Sequence, residues 1–180
     1  MTRNPDVREA LDSDLDELVA LWSHYIRGHR MNPAYGILPS DALQRRRESF
    51  ERLVEGPDST VYVATRKDGG LDGMISCFLE VNQPYLSPPL YARIQAAFVR
   101  PEARGRGNLK RLLRAATRWA RGRGATEMRL YLTADNVVAN ALAEELGFEA
   151  IEVVRRRPLG RRTIPWAKAS EDWETRSEDA

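Results

Sequence analysis

The sequence predicts a mixed α/β domain, a mixed central sheet with helices on both faces, and three observations predict it. The segments follow the order β-α-α-β-β-β-α-β-α-β, which suits a sheet covered by helices. The run Leu71 to Val81 is largely apolar on both alternating faces. Ile75, Cys77, Leu79 and Val81 share one face and Met74, Ser76, Phe78 and Glu80 the other, as expected of a central strand covered from each side. Finally, from Phe98 to Leu109 a β-like run ends at Pro101, passes through an Arg/Gly turn and opens an amphipathic helix. A strand–helix–strand crossover from 91 to 133 then makes the fourth and fifth strands parallel and right-handed in connection.

Taken in order, Val7 to Ala10 is a short first strand. Asp12 or Ser13 caps a helix whose first turns carry Asp14, Asp16 and Glu17, where negative charge is favoured. Leu15, Leu18, Val19, Trp22 and Ile26 repeat at helical spacing and face the core, and Gly28 stops the helix. Residues 29–39 are irregular, with turn signals at Asn32-Pro33 and Tyr35-Gly36. Ser40 or Asp41 caps a second helix to about Val54, ended by Gly56-Pro57. Thr60 to Ala64 is a strand, joined by a hairpin turn at Lys67 to Gly70 to the strand 71–81. Prolines at 84, 88 and 89 make a loop before the fourth strand, Tyr91 to Val99.

The third helix runs from about Gly107 to Arg121. Leu109, Leu112, Leu113, Ala116 and Ala120 form its apolar stripe, and Arg111, Arg114, Arg118 and Arg121 a solvent face. Met128 to Thr133 is the fifth strand, Asn136 to Leu146 the fourth helix, and Phe148 to Arg156 a further strand. Thr163 to Ala167 is a candidate edge strand. Residues 1–160 read as the domain and 161–180 as an extension, expected to be partly disordered.

Composition narrows the function. With 180 residues, 42% hydrophobic and 30% charged, the chain suits one soluble domain with a sizeable core. No apolar run is long enough to span a bilayer, and Met1 to Asp6 lacks the apolar core of a signal peptide, so no membrane partner is expected. The single cysteine, Cys77, excludes an internal disulfide framework and fits a cytoplasmic setting. Two histidines argue against a histidine-rich metal site, and no metal is expected. Net charge is only +2, but Arg and Lys crowd into 100–123 and 155–162. Nucleic acid is one partner for such a patch. A phosphorylated small molecule fits better, because aromatic residues do not interleave with the basic ones.

The Arg/Gly turn carries that preference. The first N–H groups of a helix have no internal acceptor and lie at the positive end of its dipole, and Gly105 and Gly107 allow a ligand to approach the main chain closely. The turn is therefore an anion site on physical grounds.

These residues resemble the GNAT superfamily of N-acetyltransferases. Val99-Arg100-Pro101-Glu102 followed by Arg104-Gly105-Arg106-Gly107-Asn108-Leu109 is similar to the family's strand end and its [Q/R]-x-x-G-x-[G/A] motif. A second segment, Asn136-Val137-Val138-Ala139, Leu142 and Glu144-Glu145-Leu146-Gly147-Phe148, resembles N-x-x-A-x-x-L-Y-E-x-x-G-F. The resemblance covers most of 6–157. It implies the GNAT acyl-CoA N-acyltransferase fold and acetyl-CoA as co-substrate. It implies that backbone groups of Phe98 and Val99 pair with the pantetheine arm, and that amides from Arg104 through Gly105, Arg106, Gly107 and Asn108 to Leu109 hold the pyrophosphate. Asn136 would hydrogen-bond the cofactor arm.

Three positions depart from the pattern. Leu109 replaces the small residue of the motif and is expected to point to the core. Ala143 stands where many members carry the tyrosine assigned to protonate the leaving thiolate; water can substitute, since a thiol of pKa ~8.5 is a fair leaving group. Strand four, Arg93-Ile94-Gln95-Ala96-Ala97-Phe98, has no acid to serve as base. Glu80 on strand three is the best remaining carboxylate, either the general base or a residue turned to solvent or paired with Arg93, and Tyr131 on strand five is a weaker candidate, against the commoner outcome of a core tyrosine. His24 and His29 are expected to be partly exposed helix-end residues. Tyr35, Tyr85 and Trp166 are candidates to line an acceptor site.

The expected reaction is acetyl transfer from acetyl-CoA to a primary amine of a small molecule or peptide. Attack is direct, in a ternary complex, with a strand-four amide near Phe98 or Val99 stabilising the oxyanion. The alternative is a catalytically weak acyl-CoA-binding sensor or partner subunit. A homodimer is also expected from the family's tendency to pair exposed strand edges.

Overall fold

The computed structural model describes residues 7–29, 38–66, 69–155 and 157. Its elements are β1 (Val7–Glu9), α1 (Leu15–Gly28), α2 (Ala42–Glu55), β2 (Ser59–Thr65), β3 (Leu71–Val81), β4 (Leu90–Val99), α3 (Asn108–Gly122), β5 (Met128–Leu130) and α4 (Val137–Glu145). The five strands form one sheet in the order β1-β2-β3-β4-β5. The first four are antiparallel to their neighbours and β5 is parallel to β4, so the sheet is mixed.

Two apolar layers sandwich it. On one face Leu15, Leu18 and Leu21 of α1 and Phe50 and Leu53 of α2 pack on Val61, Val63, Leu71, Met74 and Ala96. On the other, Leu112 and Ala116 of α3 pack on Ala64, Ile75, Cys77, Ile94 and Val99. Met74 and Cys77 are fully buried and Ile75 nearly so, so β3 is central and covered on both faces. Each such fully buried large side chain contributes ~1.5–3 kcal/mol of transfer free energy.

The helix stripes match the spacing. Leu15, Leu18 and Ile26 are buried, Val19 and Trp22 pack partly on the core, and Leu21 is fully buried as well. On α3, Arg114, Arg118 and Arg121 are exposed and Arg111 is partly covered. Leu109 packs partly against the α3-side core, as expected.

Several boundaries differ from expectation. Neither Asp12 nor Ser13 caps α1. Residues 12–14 form a 3-10 turn, and the Asp14 carboxylate accepts the Leu11 N–H at 2.8 Å and an ion pair from Arg8 at 2.6 Å. Asp14 serves because the tight turn brings it back over Leu11. Asp41 flanks α2 without a side-chain cap and instead accepts from Arg45 Nε at 2.8 Å. β5 ends at Leu130 rather than Thr133. Residues 148–155 carry no regular structure, and Ile151, Val153 and Val154 are exposed. A strand persists only through a hydrogen-bonded neighbour, and among the described residues none lies beyond β5. The candidate strand 163–167, the extension 161–180, residue 156 and Lys67-Asp68 of the hairpin turn lie outside the described residues.

Candidate active site

The site begins with a fault in β4. Along β3 the register runs Gly73 to Val99, Met74 to Phe98, Ile75 to Ala97 and Ser76 to Ala96, then jumps so that Cys77 faces Ile94. Gln95 is the extra residue, a β-bulge, and it is exposed. The bulge reverses alternation. Ile94 belongs to the α3-side core, yet Ala96, two residues on, belongs to the α1/α2 side. Backbone groups are reversed too. Before the bulge, Ala92 N–H points to β5 and donates to Glu127 O at 2.9 Å; after it, Arg100 N–H points to β3 and donates to Asp72 O at 2.8 Å. By alternation, Ala96 and Phe98 then bond toward β3, while Ala97 and Val99 direct their main-chain groups to the β5 side.

That side is open. β4 and β5 pair only at Ala92–Met128, Arg93–Arg129 and Ile94–Leu130, so the strands part at the bulge. Of the two residues implied to pair with a ligand arm, Val99 faces this gap and Phe98 does not; Ala97 joins Val99. Arg104 leans across the opening, its Nε donating to Val99 O at 3.1 Å and its guanidinium 6.0 Å from the Phe98 ring centre.

Beyond Val99, residues 101–103 form a 3-10 turn leading to Gly105 and Gly107, whose φ angles are +71° and +74°. Such left-handed values cost a residue with a Cβ ~1–2 kcal/mol, which accounts for both glycines. Among the described residues the N–H groups from Gly105 through Lys110 have no acceptor, and Arg111 N–H is the first to be bonded, to Gly107 O at 3.1 Å. Asn108 is buried and pins the loop: its Nδ2 donates to Ala103 O at 3.1 Å and its Oδ1 accepts from Arg111 Nη2 at 2.6 Å. Arg111 Nη2 also donates to Arg106 O at 3.1 Å. The loop is thus held by its carbonyls and side chains, leaving its N–H groups for an anion. The side chains of Arg104 and Arg106 are exposed beside them.

Asn136 caps α4, its Oδ1 accepting the Ala139 N–H at 3.1 Å, and Asn140 Nδ2 ties the same turn to Thr133 O and Asn136 O at 2.9 and 2.8 Å. The Asn136 amide nitrogen remains available to a ligand. Ala143 presents no hydroxyl, and Lys110 bridges α3 to α4 through Glu145 at 2.8 Å.

On the α1/α2 face, Glu80 pairs with Arg93 at 3.5 Å and sits opposite Tyr91 in the register. Burial first, then the hydrogen bond to Glu80, raises the Tyr91 pKa. Gln95 lies four positions along the extended strand from Tyr91, about 13 Å at ~3.3 Å per residue. Tyr131 is not a core residue. It follows the last paired residue of β5, opposite the bulge, 52% exposed, with the Arg93 guanidinium 4.2 Å over its ring. Strand five is too short to carry it into the interior.

His24 is exposed, and His29 at the end of α1 is partly buried, 4.6 Å from the Tyr25 ring, with Asp135 close enough to act on its charge. Burial is the main cause lowering both pKa values, opposed at His29 by Asp135. Tyr25 in turn meets Phe98 edge-on at 6.4 Å, so α1 forms a wall of the gap. Tyr85 is 81% exposed. Tyr35 and Trp166 lie outside the described residues. No group of His, Cys, Asp and Glu among the described residues is arranged to hold a metal ion.

Arg46 went unnoticed in the sequence. It sits on the buried stripe of α2 with Ala42, Phe50 and Leu53, its guanidinium 4.0 Å over the Phe50 ring and 3.3 Å from Gln95 Oε1. A charged residue falling on an apolar helical stripe was the available signal. The bulge itself left none, because register depends on packing across strands.

A family model described as Acetyltransferase (GNAT) family matches residues 19–148, more than half of the chain. Solved structures share the fold. A mutant of the BH1408 protein from Bacillus halodurans aligns with TM-score 0.76 at 19% identity, over 86% of this chain and 99% of its own. The aminoglycoside antibiotic 6'-N-acetyltransferase AAC(6')-IG from Acinetobacter haemolyticus gives 0.68 at 19%, over 86% and 98%. AAC(6')-Iy, solved in complex with the bisubstrate analog CoA-S-monomethyl-acetylneamine, gives 0.67 at 22%, over 88% and 100%. No curated protein matches the chain in sequence.

Proposed function

The chain belongs to the acetyltransferase (GNAT) family, and we propose that it transfers acetyl from acetyl-CoA to a primary amine of a small molecule or peptide. One observation carries this reading: the gap between β4 and β5 opens directly beside the unbonded N–H run from Gly105 to Lys110. The pyrophosphate of CoA would take those N–H groups, with Arg104, Arg106 and the backbone of Asn108 and Leu109 around it. The pantetheine arm would lie along Ala97 and Val99 beside Phe98, within reach of the Asn136 amide. AAC(6')-Iy, solved with a CoA-linked bisubstrate analog, lends support as a protein of the same fold.

Transfer would be direct. The amine nitrogen attacks the thioester carbon, the carbonyl π pair moves onto oxygen as an oxyanion, and its collapse breaks the C–S bond and expels the CoA thiolate. An amide on the gap side of β4, at Ala97 or Val99, would stabilise the oxyanion. An acyl-enzyme on cysteine is disfavoured, because burial holds the Cys77 thiol up at about 12. For the proton steps we propose Tyr131, at the mouth of the gap, and Glu80. Glu80 would act through a chain of waters, since ~13 Å of strand separates it from the bulge. The domain would span 1–160, in the cytoplasm, with a homodimer formed through exposed Ile151, Val153 and Val154.

Calorimetry with acetyl-CoA followed by thiol release over a panel of amines tests the reading. Micromolar binding and turnover are expected; absence of binding sinks it. Binding without turnover of any acceptor supports the sensor alternative. Tyr131→Phe and Glu80→Gln should each lower kcat ~10-fold or more with acetyl-CoA affinity intact, and an unchanged kcat removes that residue from the mechanism. Light scattering at a monomer's mass would remove the dimer.

A further inference from the structure

We propose that the acceptor amine carries a carboxylate and that Arg46 binds it, beside the bulge of β4. This rests on the acetyltransferase reading and specifies its second substrate.

The run Arg45-Arg46-Arg47 shows the contrast. Arg45 pairs with Asp41 at 2.8 Å, and Arg47 pairs with Asp16 and, at 3.3 Å, with Glu51. Arg46 lies between them and has no carboxylate partner among the described residues. Its Nη1 donates to two neutral oxygens, Ser49 Oγ and Gln95 Oε1, each at 3.3 Å. Its Nε is buried without an acceptor, and Nη2 makes no hydrogen bond among the described residues. Phe50 at 4.0 Å and Trp22 at 5.8 Å cover the guanidinium faces. Ring contacts attract a cation but leave its charge uncompensated, and burying an unpaired charge is expensive. Burial lowers the Arg46 pKa to about 10, which leaves it charged at neutral pH.

Two neighbouring arginines are neutralised. Arg93 pairs with Glu80 at 3.5 Å and Arg100 with Glu17 at 3.3 Å. Residues 30–37, joining α1 to α2, contain Arg30 and no acid. Arg46 thus keeps its Nη2 without an acceptor among the described residues, and its bond to Gln95 ties it to the residue at which β4 and β5 part. A carboxylate accepts from such a fork in two parallel bonds. A polycationic amine would meet repulsion here, so the acceptor class differs from that named for the aminoglycoside acetyltransferases sharing the fold.

The test uses the full chain with acetyl-CoA. Thiol release is measured with the twenty L-amino acids, β-alanine and a set of dipeptides, each beside its C-terminal amide, and with neamine as a polycationic amine. The free carboxylate member should be acetylated with a KM ~10-fold or more below its amide. In Arg46→Gln that preference should collapse by ~10- to 100-fold while acetyl-CoA affinity is retained, and Arg46→Lys should restore part of it. Preference for the amides or neamine, equal KM changes for both members of a pair, or acetyl-CoA binding without turnover of any carboxylate-bearing amine would overturn the assignment. Should Arg46→Gln fail to fold, the wild-type ratio of carboxylate to amide decides. Failure of the wild-type chain to bind acetyl-CoA would instead remove the acetyltransferase reading, and this assignment with it.

Discussion

Gly107 shows how a single residue ties backbone conformation to ligand binding. An added Cβ would meet nothing closer than Arg111 Nη1 at 3.6 Å, so space is not the constraint; φ of +74° is. Gly107→Ala should therefore cost ~1–2 kcal/mol through the backbone alone, lowering Tm by about 2–8 °C. It should also weaken acetyl-CoA ~10-fold or more, because relief of the strain turns the N–H groups away from a common point. Calorimetry reads the loss, and unchanged affinity would separate the glycine from the anion site. Cys77 offers a second test. It is fully buried in β3, and desolvation raises its thiol pKa to about 12, so at pH 8 it carries almost no thiolate. Alkylation of the folded chain should be at least ~100-fold slower than in denaturant. Rapid labelling of the native protein would show that the sheet opens readily at its centre.

At the level of elements, α4 is the least anchored helix. None of its residues is buried, so its nine residues depend on their ends. Asn136→Ala removes the bond to Ala139 N–H and should cost ~1 kcal/mol, seen as faster amide exchange across 137–145. Asn136→Ser keeps a capping oxygen but loses the amide nitrogen. It should hold exchange near wild type while acetyl-CoA affinity falls; equal affinity would confine Asn136 to capping. The structured elements also show what a sequence can reveal. β3 ends where its double apolar pattern ends, at 71 and 81, and α3 begins at its glycines, because local chemistry dictates both. The bulge at Gln95 was illegible, since it is a property of pairing between β3 and β4. Strand-like composition from Phe148 onward did not suffice, because a strand requires a neighbour. Arg46 shares helical phase with Ala42, Phe50 and Leu53, and that phase was its one sequence signal, since a charged residue is not expected on a buried stripe.

Across the molecule, rigidity is uneven in a way that bears on binding. Strands β2 to β4 with α1, α2 and α3 share two dense cores, whereas β5 has no fully buried residue and joins the sheet through three paired positions. The Lys110–Glu145 pair adds only an exposed, solvent-screened tie to α4. A ligand lying between β4 and β5 would touch both the rigid sheet and this lightly held unit. Its binding energy then adds to the stability of the second more than of the first. Acetyl-CoA at 100 times its Kd contributes ~2.7 kcal/mol to the folded state, which for a domain of this size raises Tm by about 5–10 °C. Hydrogen exchange should slow most over 128–145 and least over β2 and β3, whose amides already open only with global unfolding. Protection gained evenly along the chain would mean that the ligand merely stabilises the fold. Protection confined to 105–110 would mean that the phosphates bind and the pantetheine arm does not enter the gap.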